Sequence, residues 1–329
     1  MRGVADAARG EARAGRRRWP GMRAMSYDAY GDLDVLHASD LPEPRLAPGA
    51  VLVEVRSASV NPVDWKLMAG GLDGLMDVVF PVVPGWDAAG VVVRTGPDVP
   101  ELAVGDEVLT YARKDLVQGG TYAELVAVPA PSVVRKPAQM SWDEAGALPL
   151  AGLTALRMVE LCEVGPQDVV LVHGASGGVG HLAVQVARAR GARVLGTASE
   201  RNHDFLRGLG AEPLLYGEGL EDRVRALAPE GATVVLDAVG GVLQQTLAVL
   251  AERGRHASIT DAGVEQHGGR WVWVRPDGAA LERLTALVER GRLRVEVQAT
   301  FPLAQVADAV RLSQGGHVRG KVALRVSGG

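Results

Sequence analysis

The sequence predicts an α/β fold in which a β-rich part is followed by a doubly wound parallel sheet with helices on both faces. Three observations favour this fold. Short apolar strands separated by glycine and proline fill the chain before residue 141. Strands and helices then alternate as far as residue 260, which is the pattern of parallel sheets. Within that alternation, one apolar strand leads through a glycine-rich loop directly into a helix.

The β-rich part is predicted to form a partly open barrel, because its strands are short and regularly punctuated. A turn at Pro48 and Gly49 precedes its clearest alternating segment. The strands are predicted at residues 23–27, 51–58, 90–94, 107–110 and 122–128.

The alternating part begins with a predicted helix at 142–161, for which Ser141 and Glu144 have the spacing of a capping box. Further strands are predicted at 168–173, 193–198, 233–237, 255–260, 271–274 and 321–326. Further helices are predicted at 178–190, 202–209, 221–228, 242–251, 277–290 and 302–313.

The composition is that of an ordinary globular enzyme, with 47% hydrophobic and 22% charged residues. A net charge of −4 gives no electrostatic footprint for nucleic acid, so no nucleic-acid partner is expected. No apolar run approaches the ~18 residues of a membrane span. The single cysteine, Cys162, allows neither an internal disulfide nor a multi-cysteine zinc site.

Residues 1–21 differ from the rest of the chain, since their six arginines and two acidic residues give them a charge of +4. They lack the apolar stretch of a secretory signal. We expect a disordered basic extension, or a start that precedes a working start at Met22, while resemblance to a transit peptide stays open. The default expectation is a cytoplasmic protein.

Residues 169–180 have the sequence VVLVHGASGGVG and predict a dinucleotide-binding loop of a Rossmann unit. Gly177 would let the backbone approach a pyrophosphate, and Gly180 would let the helix pack on the strand. The free amides and the dipole at the start of the helix favour phosphate charge. The predicted contacts with the cofactor in this loop are Ala175, Ser176, Gly177, Gly178 and Val179.

The end of the following strand discriminates between NAD and NADP. An NAD enzyme has an acidic residue there, whereas Thr197 and Ala198 carry no charge. Ser199 and Arg201 come next and can bind a 2′-phosphate, although Glu200 lies near the place of an NAD-type acid. The balance favours NADPH as the cofactor.

Several motifs in a fixed order resemble those of the medium-chain dehydrogenase/reductase superfamily, in its zinc-independent branch of quinone oxidoreductases and enoyl reductases. The resemblance extends from Met22 to Val326. Besides the glycine loop, the motifs are residues 59–66 (SVNPVDWK), 84–90 (PGWDAAG), 104–108 (VGDEV), 119–124 (GGTYAE), 147–155 (ALPLAGLTA), 237–241 (DAVGG) and 319–321 (RGK).

The resemblance implies a GroES-like catalytic domain that both ends of the chain build, with a Rossmann domain inserted between them. The expected bounds are 22–147 for the first part of the catalytic domain, 148–272 for the Rossmann domain and 273–329 for the return to the catalytic domain. It also implies a homodimer that forms through the Rossmann sheets, and a small-molecule substrate.

Zinc-dependent members of the superfamily have a ligand cysteine in the first catalytic loop and a His-Glu pair after a glycine. The corresponding positions are in the Asn61-Pro62 segment and at Gly85-Trp86-Asp87. With one cysteine, located elsewhere, neither the catalytic nor the structural zinc site of the superfamily can be built. We therefore expect no metal.

Without a Lewis acid, hydride transfer is expected to an activated acceptor such as a quinone or an α,β-unsaturated carbonyl. The resemblance places Asn61 beside the nicotinamide, where its amide holds the cofactor ribose or a substrate oxygen. Asp64 and Lys66 follow at spacings of three and five and are expected to form an ion pair or network near the cleft. Lys66 is a candidate for stabilising an enolate or relaying a proton, and a solvated pair is the alternative.

The resemblance also implies further contacts with the cofactor. Thr154 matches a helix residue that touches it, Tyr216 lies near the adenosine phosphate, and Lys321 approaches the phosphate or nicotinamide end. The ends of two later strands supply Val239 and Gly240, and Ser258 and Ile259.

One position departs from the pattern of the enoyl reductases. Their proposed proton donor is a tyrosine eight residues after the Asn-Pro-x-Asp motif, and this chain has Leu72 there. Tyr111 or solvent is the candidate replacement. The difference favours quinone over enoyl thioester, because a hydroquinone needs no carbon protonation. A pathway-specific enoyl or imine reductase and a non-catalytic NADPH-binding protein remain the alternatives.

Overall fold

The structure is a computed structural model that describes residues 21–327. The predicted basic extension lies outside the described residues except for Gly21. Within them, one antiparallel sheet and one parallel sheet carry most of the strands.

The β-rich part contains nine strands and one α-helix among the described residues. The strands are β1 (Met22–Ser26), β2 (His37–Leu41), β3 (Ala50–Val60), β4 (Asp77–Val83), β5 (Asp87–Thr95), β6 (Glu107–Tyr111), β7 (Leu116–Gly119), β8 (Leu125–Pro129) and β9 (Val133–Arg135). The helix is α1 (Pro62–Met68), which begins directly after β3.

In the parallel part, strands and α-helices alternate from the first strand to the fifth. Its strands are β10 (Val169–His173), β11 (Arg193–Ala198), β12 (Glu212–Leu215), β13 (Ala232–Asp237), β14 (Leu250–Ser258) and β15 (Arg270–Trp271). Its helices are α2 (Trp142–Ala147), α3 (Pro149–Leu161), α4 (Gly180–Ala189), α5 (His203–Gly208), α6 (Leu220–Leu227), α7 (Leu243–Val249) and α8 (Gly278–Glu289).

The parallel sheet has the strand order β12-β11-β10-β13-β14-β15, and all five neighbouring pairs are parallel. In chain order this is 3-2-1-4-5-6, the order of dinucleotide-binding sheets. The first strand, β10, therefore lies in the middle, and the chain reverses its direction of growth between β10 and β13.

The chain then returns to the first sheet through β16 (Val297–Pro302), α9 (Val306–Gln314) and β17 (Lys321–Arg325). In the antiparallel sheet, in which only β16 and β17 run parallel to each other, the order is β16-β17-β3-β5-β6-β9, with β8 also paired to β3. Because β17 lies between β16 and β3, the last strand of the chain is an interior strand of a sheet that the N-terminal part begins.

The sequence prediction lacked strands β2, β4, β7, β9, β12 and β16 and helix α1, and the helix expected at 302–313 begins at Val306. Two further predicted elements also differ. The single helix expected at 142–161 is two helices, because Leu148 ends α2 and Pro149 begins α3. Proline has no amide hydrogen to continue a helix but fits the first position of a new one. The strand expected at 271–274 is reduced to the two residues of β15.

A continuous apolar core joins the two sheets. It contains Val170 and Leu182 of the parallel part together with Trp86 and Tyr111 of the antiparallel part. Helix α3 buries most of its length in this core. Within residues 21–327, no helix is both long and apolar enough to cross a membrane.

Candidate active site

The predicted cofactor residues gather at the carboxyl edge of the parallel sheet. Ligands of such sheets bind in the crevice outside this edge, at the point where the strand order reverses. The glycine loop follows β10, Ser199 and Arg201 follow β11, Tyr216 follows β12, Val239 and Gly240 follow β13, and Ser258 and Ile259 lie at the end of β14.

The glycine loop has the features of a phosphate-binding turn. Gly174 has a left-handed backbone, with φ +65°, and a side chain at Gly180 would overlap the carbonyl oxygen of Gly174. The backbone amides of Ser176, Gly178 and Val179 make no hydrogen bond to any other described residue. These amides therefore fit a pyrophosphate, which needs donors at the start of a helix.

The same loop contacts the start of β17. The amide of Gly320 donates to the carbonyl oxygen of Ser176 at 2.8 Å. A side chain at Gly178 would come within 3.2 Å of Cδ of Lys321, so the stem of this lysine packs directly on the loop. The crevice of one domain and a strand of the other thus meet at Gly178.

His181, which is buried near the start of α4, connects the glycine loop to the segment before β16. Its Nδ1 lies 2.8 Å from the carbonyl oxygen of Gly177, and the amide of Glu296 donates to its Nε2 at 3.2 Å. Burial lowers the pKa of His181 to about 4, against the hydrogen bond to Gly177. The ring is therefore neutral, with its proton on Nδ1, and it ties the loop to the segment before β16.

At the end of β11, a buried asparagine connects the loop with the place expected for a 2′-phosphate. The Nδ2 atom of Asn202 donates to Oγ of Ser176 at 3.2 Å and to Oγ of Ser199 at 3.4 Å. Arg201 is exposed, and its Nη2 donates to the carbonyl oxygen of His317 at 3.3 Å. Asn202 was not predicted as a site residue. Its position shortly after a predicted strand was the signal that could have indicated it.

Asp237 organises the loops after β13 and β14. Its Oδ1 accepts from the amides of Val239 and Gly240, each at 2.9 Å, and its Oδ2 accepts from Oγ of Ser258 at 2.8 Å. Val239 is 54% exposed at the crevice, whereas the side chain of Ser258 is fully buried and its hydroxyl is used within the fold. Sequence reasoning quoted Asp237 in a motif but gave it no role.

The remaining cofactor predictions lie in different surroundings. Tyr216 is 56% exposed at the carboxyl edge, and Ile259 is partly buried against the core. Thr154 is buried in α3, and its hydroxyl donates to the carbonyl oxygen of Leu150 at 2.7 Å. The hydroxyl of Thr154 is therefore engaged with its own helix.

Three buried side chains form a polar cluster where β3, β5 and β17 adjoin. The Nδ2 atom of Asn61 donates to Oδ2 of Asp87 at 2.8 Å, and the ammonium of Lys321 donates to Oδ1 of Asn61. The ammonium also lies 3.8 Å from Oδ2 of Asp87. Both the nitrogen and the oxygen of the Asn61 side-chain amide therefore have hydrogen-bond partners, which fix its orientation.

Asp87 is the most connected member of this cluster. Its Oδ2 also accepts from Oγ of Ser59 at 2.8 Å, and its Oδ1 accepts from the amide of Leu150 at the start of α3 at 2.7 Å. The residue is completely buried. The sequence analysis did not propose Asp87 as a site residue, although a carboxylate in the apolar segment 86–92 was a signal for a buried ionic partner.

Asp64 lies beside the cluster and has an unusual environment. Its Oδ2 accepts from the amide of Asn61 at 2.8 Å and from the phenol of Tyr122 at 2.9 Å, while its Oδ1 is buried without a partner among the described residues. Burial raises the pKa of Asp64 to about 7, although both hydrogen bonds act in the opposite direction. This carboxyl group therefore exchanges its proton near neutral pH.

Lys321 and Tyr122 are perturbed by the same burial. Burial lowers the pKa of Lys321, and the charges of Asp87 and Asp64 oppose this effect. Burial also raises the pKa of Tyr122, and the neighbouring Asp64 raises it further. The ammonium of Lys321 also donates to the carbonyl oxygen of Val60 at 3.3 Å, so it lies beside the glycine loop with partners from two elements of the antiparallel sheet.

Lys66 does not join this cluster, so the predicted network with Asp64 is corrected. It is exposed on α1, and its ammonium lies 5.6 Å from the ring centroid of Trp65. Asp64 points to a different side of α1, because side chains two positions apart on a helix do not face each other. The acidic partner of the Asn61 side chain is Asp87, and its basic partner is Lys321.

Leu72 lies where enoyl reductases of the superfamily have a tyrosine, and two other tyrosines of this chain can be compared with it. Leu72 is partly buried against the core, and the nearby phenol of Tyr30 donates to Oδ1 of Asp73 at 2.9 Å. Tyr111 is the register partner of Asp87 across β5 and β6, and its ring lies edge-on to Trp86 at 6.1 Å. Burial raises the pKa of Tyr111, and the charges of Asp87 and Asp64 add to the effect.

Within residues 21–327, no group of three or more histidine, cysteine, aspartate and glutamate side chains is arranged to hold a metal ion. The independence from zinc stays a prediction, since ions are not part of the structure.

Two family profiles match the chain. The profile described as "Alcohol dehydrogenase GroES-like domain" matches residues 47–138, and the profile described as "Zinc-binding dehydrogenase" matches residues 209–324. The first covers most of the antiparallel sheet, and the second continues from the parallel sheet into β17.

Individual proteins match over nearly the whole chain. The "NADPH-dependent alkenal/one oxidoreductase, chloroplastic" of Arabidopsis thaliana is 34% identical over 92% of this chain and 79% of its own length. The "Quinone-oxidoreductase homolog, chloroplastic" of Spinacia oleracea is 29% identical over 92% of this chain and 98% of its own. The solved structure of the quinone oxidoreductase from Coxiella burnetii is 34% identical, with a TM-score of 0.83 over 93% of this chain and 100% of its own.

These relatives correct one expectation. The sequence analysis expected a cytoplasmic protein by default, and that prediction is wrong by this comparison, because the names of both plant relatives give the chloroplast as their location.

The motif-based resemblance and the predicted fold class are confirmed by the profiles and by the solved structure. The chain therefore belongs to the medium-chain dehydrogenase/reductase superfamily, in its quinone oxidoreductase branch.

Proposed function

We propose that the protein is an NADPH-dependent reductase that transfers hydride to a quinone or an α,β-unsaturated carbonyl. The observation that carries the proposal is the junction of the glycine loop with the Asn61–Asp87–Lys321 cluster, where Gly178 packs on the stem of Lys321. The relatives named for NADPH-dependent alkenal/one reduction and for quinone reduction support it.

The residues at the carboxyl edge fit this cofactor. The free amides of Ser176, Gly178 and Val179 would hold the pyrophosphate, and Ser199 and Arg201 would hold the 2′-phosphate. When bound, NADPH supplies the hydride. Exposed Tyr216 and Val239 are available as apolar contacts at either end of the crevice.

The chain's own residues would then position the reactants and balance charge. Asn61, held between Asp87 and Lys321, presents a fixed amide and serves as a positioning residue. The buried ammonium of Lys321 would favour negative charge nearby, because preorganised charges act strongly where water is excluded. These roles require no metal ligand.

The proton needed for the product has two candidate sources. Asp64 is suited to hold a proton at neutral pH, since its pKa lies at about 7. Tyr111 is the phenol beside Asp87 in the register of β5 and β6. A quinone needs protons only on oxygen, so Leu72 at the place of the family tyrosine favours quinones among the acceptors.

A steady-state assay of NADPH oxidation with a panel of quinones and a panel of enones tests the proposal. We expect turnover with at least one panel and faster turnover with NADPH than with NADH. Tight binding of NADPH without turnover of either panel would instead support a non-catalytic role or a narrow, pathway-specific substrate.

We also propose a homodimer formed through the edges of the parallel sheets. Strand β15 is the outer strand of that sheet and has only two residues. Trp271 of this strand and the nearby Trp273 are 38% and 40% exposed, with ring centroids 6.0 Å apart. An open sheet edge flanked by two exposed tryptophans is suited to cover by a second copy.

A further inference from the structure

A basic cavity of about 380 Å³ lies in the parallel-sheet domain, at the C-terminal ends of α4 and α5. Helix α4 begins at the glycine loop and ends at this cavity, and its ten residues span about 15 Å. The cavity is therefore separate from the proposed cofactor crevice.

Three arginines line the cavity, namely Arg188, Arg292 and Arg294. None of them forms an ion pair with a carboxylate within residues 21–327. Adjacent arginines behave differently, since Arg190 pairs with Glu160 at 3.6 Å and Arg207 pairs with Asp204 at 2.6 Å. The cavity therefore concentrates positive charge that the described part of the protein does not neutralise.

The backbone that carries these arginines is held in place. Buried Gln185 accepts from the amide of Arg294 and donates to its carbonyl oxygen, both at 2.9 Å. Gly291 has a left-handed backbone, with φ +65°, and the amide of Arg292 donates to the carbonyl oxygen of Leu287 at 2.8 Å. This is the geometry that ends a helix with a glycine, and it places Arg292 and Arg294 close to α4.

Two glycines, one at the end of α5 and one just after it, leave room for the guanidinium groups. A side chain at Gly210 would come within 2.9 Å of Nε of Arg188, and one at Gly208 would lie 3.5 Å from Nη2 of Arg294. The guanidinium groups from two separate segments thus converge on one turn.

We propose that this cavity binds the phosphate group of a small phosphorylated molecule. Guanidinium groups form paired hydrogen bonds with phosphate oxygens, and a doubly charged anion would offset the repulsion among three like charges. A volume of about 380 Å³ is at the lower end of small-molecule pockets. Binding of phosphate in this cavity does not depend on which acceptor the enzyme reduces.

Calorimetric titration of the full-length protein with inorganic pyrophosphate tests the proposal. The protein is first saturated with NADPH, so that the glycine loop is occupied. We expect one pyrophosphate to bind, and we expect the R188Q/R294Q variant to bind it at least tenfold more weakly. R207Q is the matched control, because Arg207 lies on α5 but is paired with Asp204, and it should bind pyrophosphate as the unaltered protein does.

Two results would overturn the proposal: no binding by the unaltered protein, or equal affinity of the unaltered protein and R188Q/R294Q. Equal affinity would mean that the arginines only balance the negative ends of α4 and α5. A parallel sedimentation experiment with phosphatidic acid vesicles addresses the source of the phosphate. Binding to vesicles without binding of pyrophosphate would also contradict a small-molecule site.

Discussion

At the scale of single residues, buried polar groups satisfy one another across segments that are far apart in the sequence. Asn61 follows β3, and Asp87 and Lys321 begin β5 and β17, yet each is hydrogen-bonded to another of the three or lies within ion-pair distance of it. Removing one partner from such a buried set leaves an uncompensated charge, which costs on the order of 3 to 5 kcal/mol. The cluster therefore links the geometry of the site to the stability of the fold.

Replacing Asp64 with asparagine should change how stability depends on pH. The pKa of Asp64 is about 7 in the folded protein, against 3.8 for an unperturbed aspartate. Between these values the folded state keeps a proton that the unfolded state releases, so this group makes the protein less stable as pH rises, by at most about 1.4 kcal/mol per pH unit. D64N lacks this contribution and should gain stability relative to the unaltered protein from pH 5 to pH 7.

Urea unfolding at pH 5, 6 and 7 measures this effect. D40N is the control, because Asp40 is exposed on β2, and its stability should follow the unaltered protein across the range. Parallel pH profiles for D64N and the unaltered protein would contradict a raised pKa at Asp64.

The selectivity for the phosphorylated cofactor can be tested at Arg201. R201A should weaken NADPH about tenfold, which corresponds to about 1.4 kcal/mol, and should leave NADH nearly unchanged. The reason is that only NADPH carries the 2′-phosphate that Arg201 would bind. Fluorescence titration with both cofactors measures the ratio, with R207A as the control on the next helix. Equal losses for NADPH and NADH would remove the assignment to the 2′-phosphate.

At the scale of elements, the strand–loop–helix unit from β10 to α4 is the part that the sequence defines best. The left-handed backbone of Gly174 and the close approach of Gly180 to its carbonyl oxygen involve only residues of this unit. The local sequence is therefore sufficient to predict the loop. The alternation of strands and helices also predicts that the strands are parallel and that their carboxyl ends lie at one edge of the sheet. The predicted cofactor residues therefore gather at that edge.

Substituting Gly180 with alanine should damage both stability and cofactor binding. The added methyl group would overlap the carbonyl oxygen of Gly174, so α4 would have to move away from β10. We expect a loss of roughly 1 to 3 kcal/mol, as for an overpacked core, together with a weaker affinity for NADPH. Thermal unfolding and a cofactor titration measure the two effects.

G165A provides the matched control, since a side chain at Gly165 would meet nothing within 4 Å. Both variants add one methyl group to a turn of the same domain. If G180A had the stability and the affinity of G165A, the close packing of helix on strand would not matter for the loop.

Sequence reasoning was less successful where function depends on long-range pairs. It found Asn61 and Lys321 through motif resemblance, but 260 positions separate them and local pattern does not show that they touch. It placed Lys66 in a network because of its spacing, whereas α1 turns Asp64 inward and Lys66 outward. Asp87, Asn202 and His181 were missed as partners for the same reason, since each is defined by a group on another element.

The break between α2 and α3 has a different origin. Apolar periodicity continues across Leu148, and only Pro149 signals the interruption. The consequence is functional, because the new helix start directs the amide of Leu150 to Asp87. The domain bounds near residues 147 and 272 stay predictions.

At the scale of the whole molecule, the proposed homodimer leads to a direct test. W271E would place a charge at the sheet edge, where burial against a second copy would be costly. Light scattering after size exclusion should give about twice the chain mass of 34.5 kDa for the unaltered protein and the chain mass for W271E. L116E alters another exposed apolar residue on β7 and should leave the dimer intact; a monomeric unaltered protein would contradict the proposal.

The interior position of β17 has a consequence for biosynthesis. Lys321 is made 260 residues after Asn61, which at ordinary rates of translation amounts to roughly 13 to 50 s. Throughout this delay, residues 57–60 of β3, which pair with β17 in the folded protein, lack that partner, and an unpaired edge is open to association with other chains. A chaperone that binds extended segments would therefore protect these residues while the parallel sheet is being synthesised.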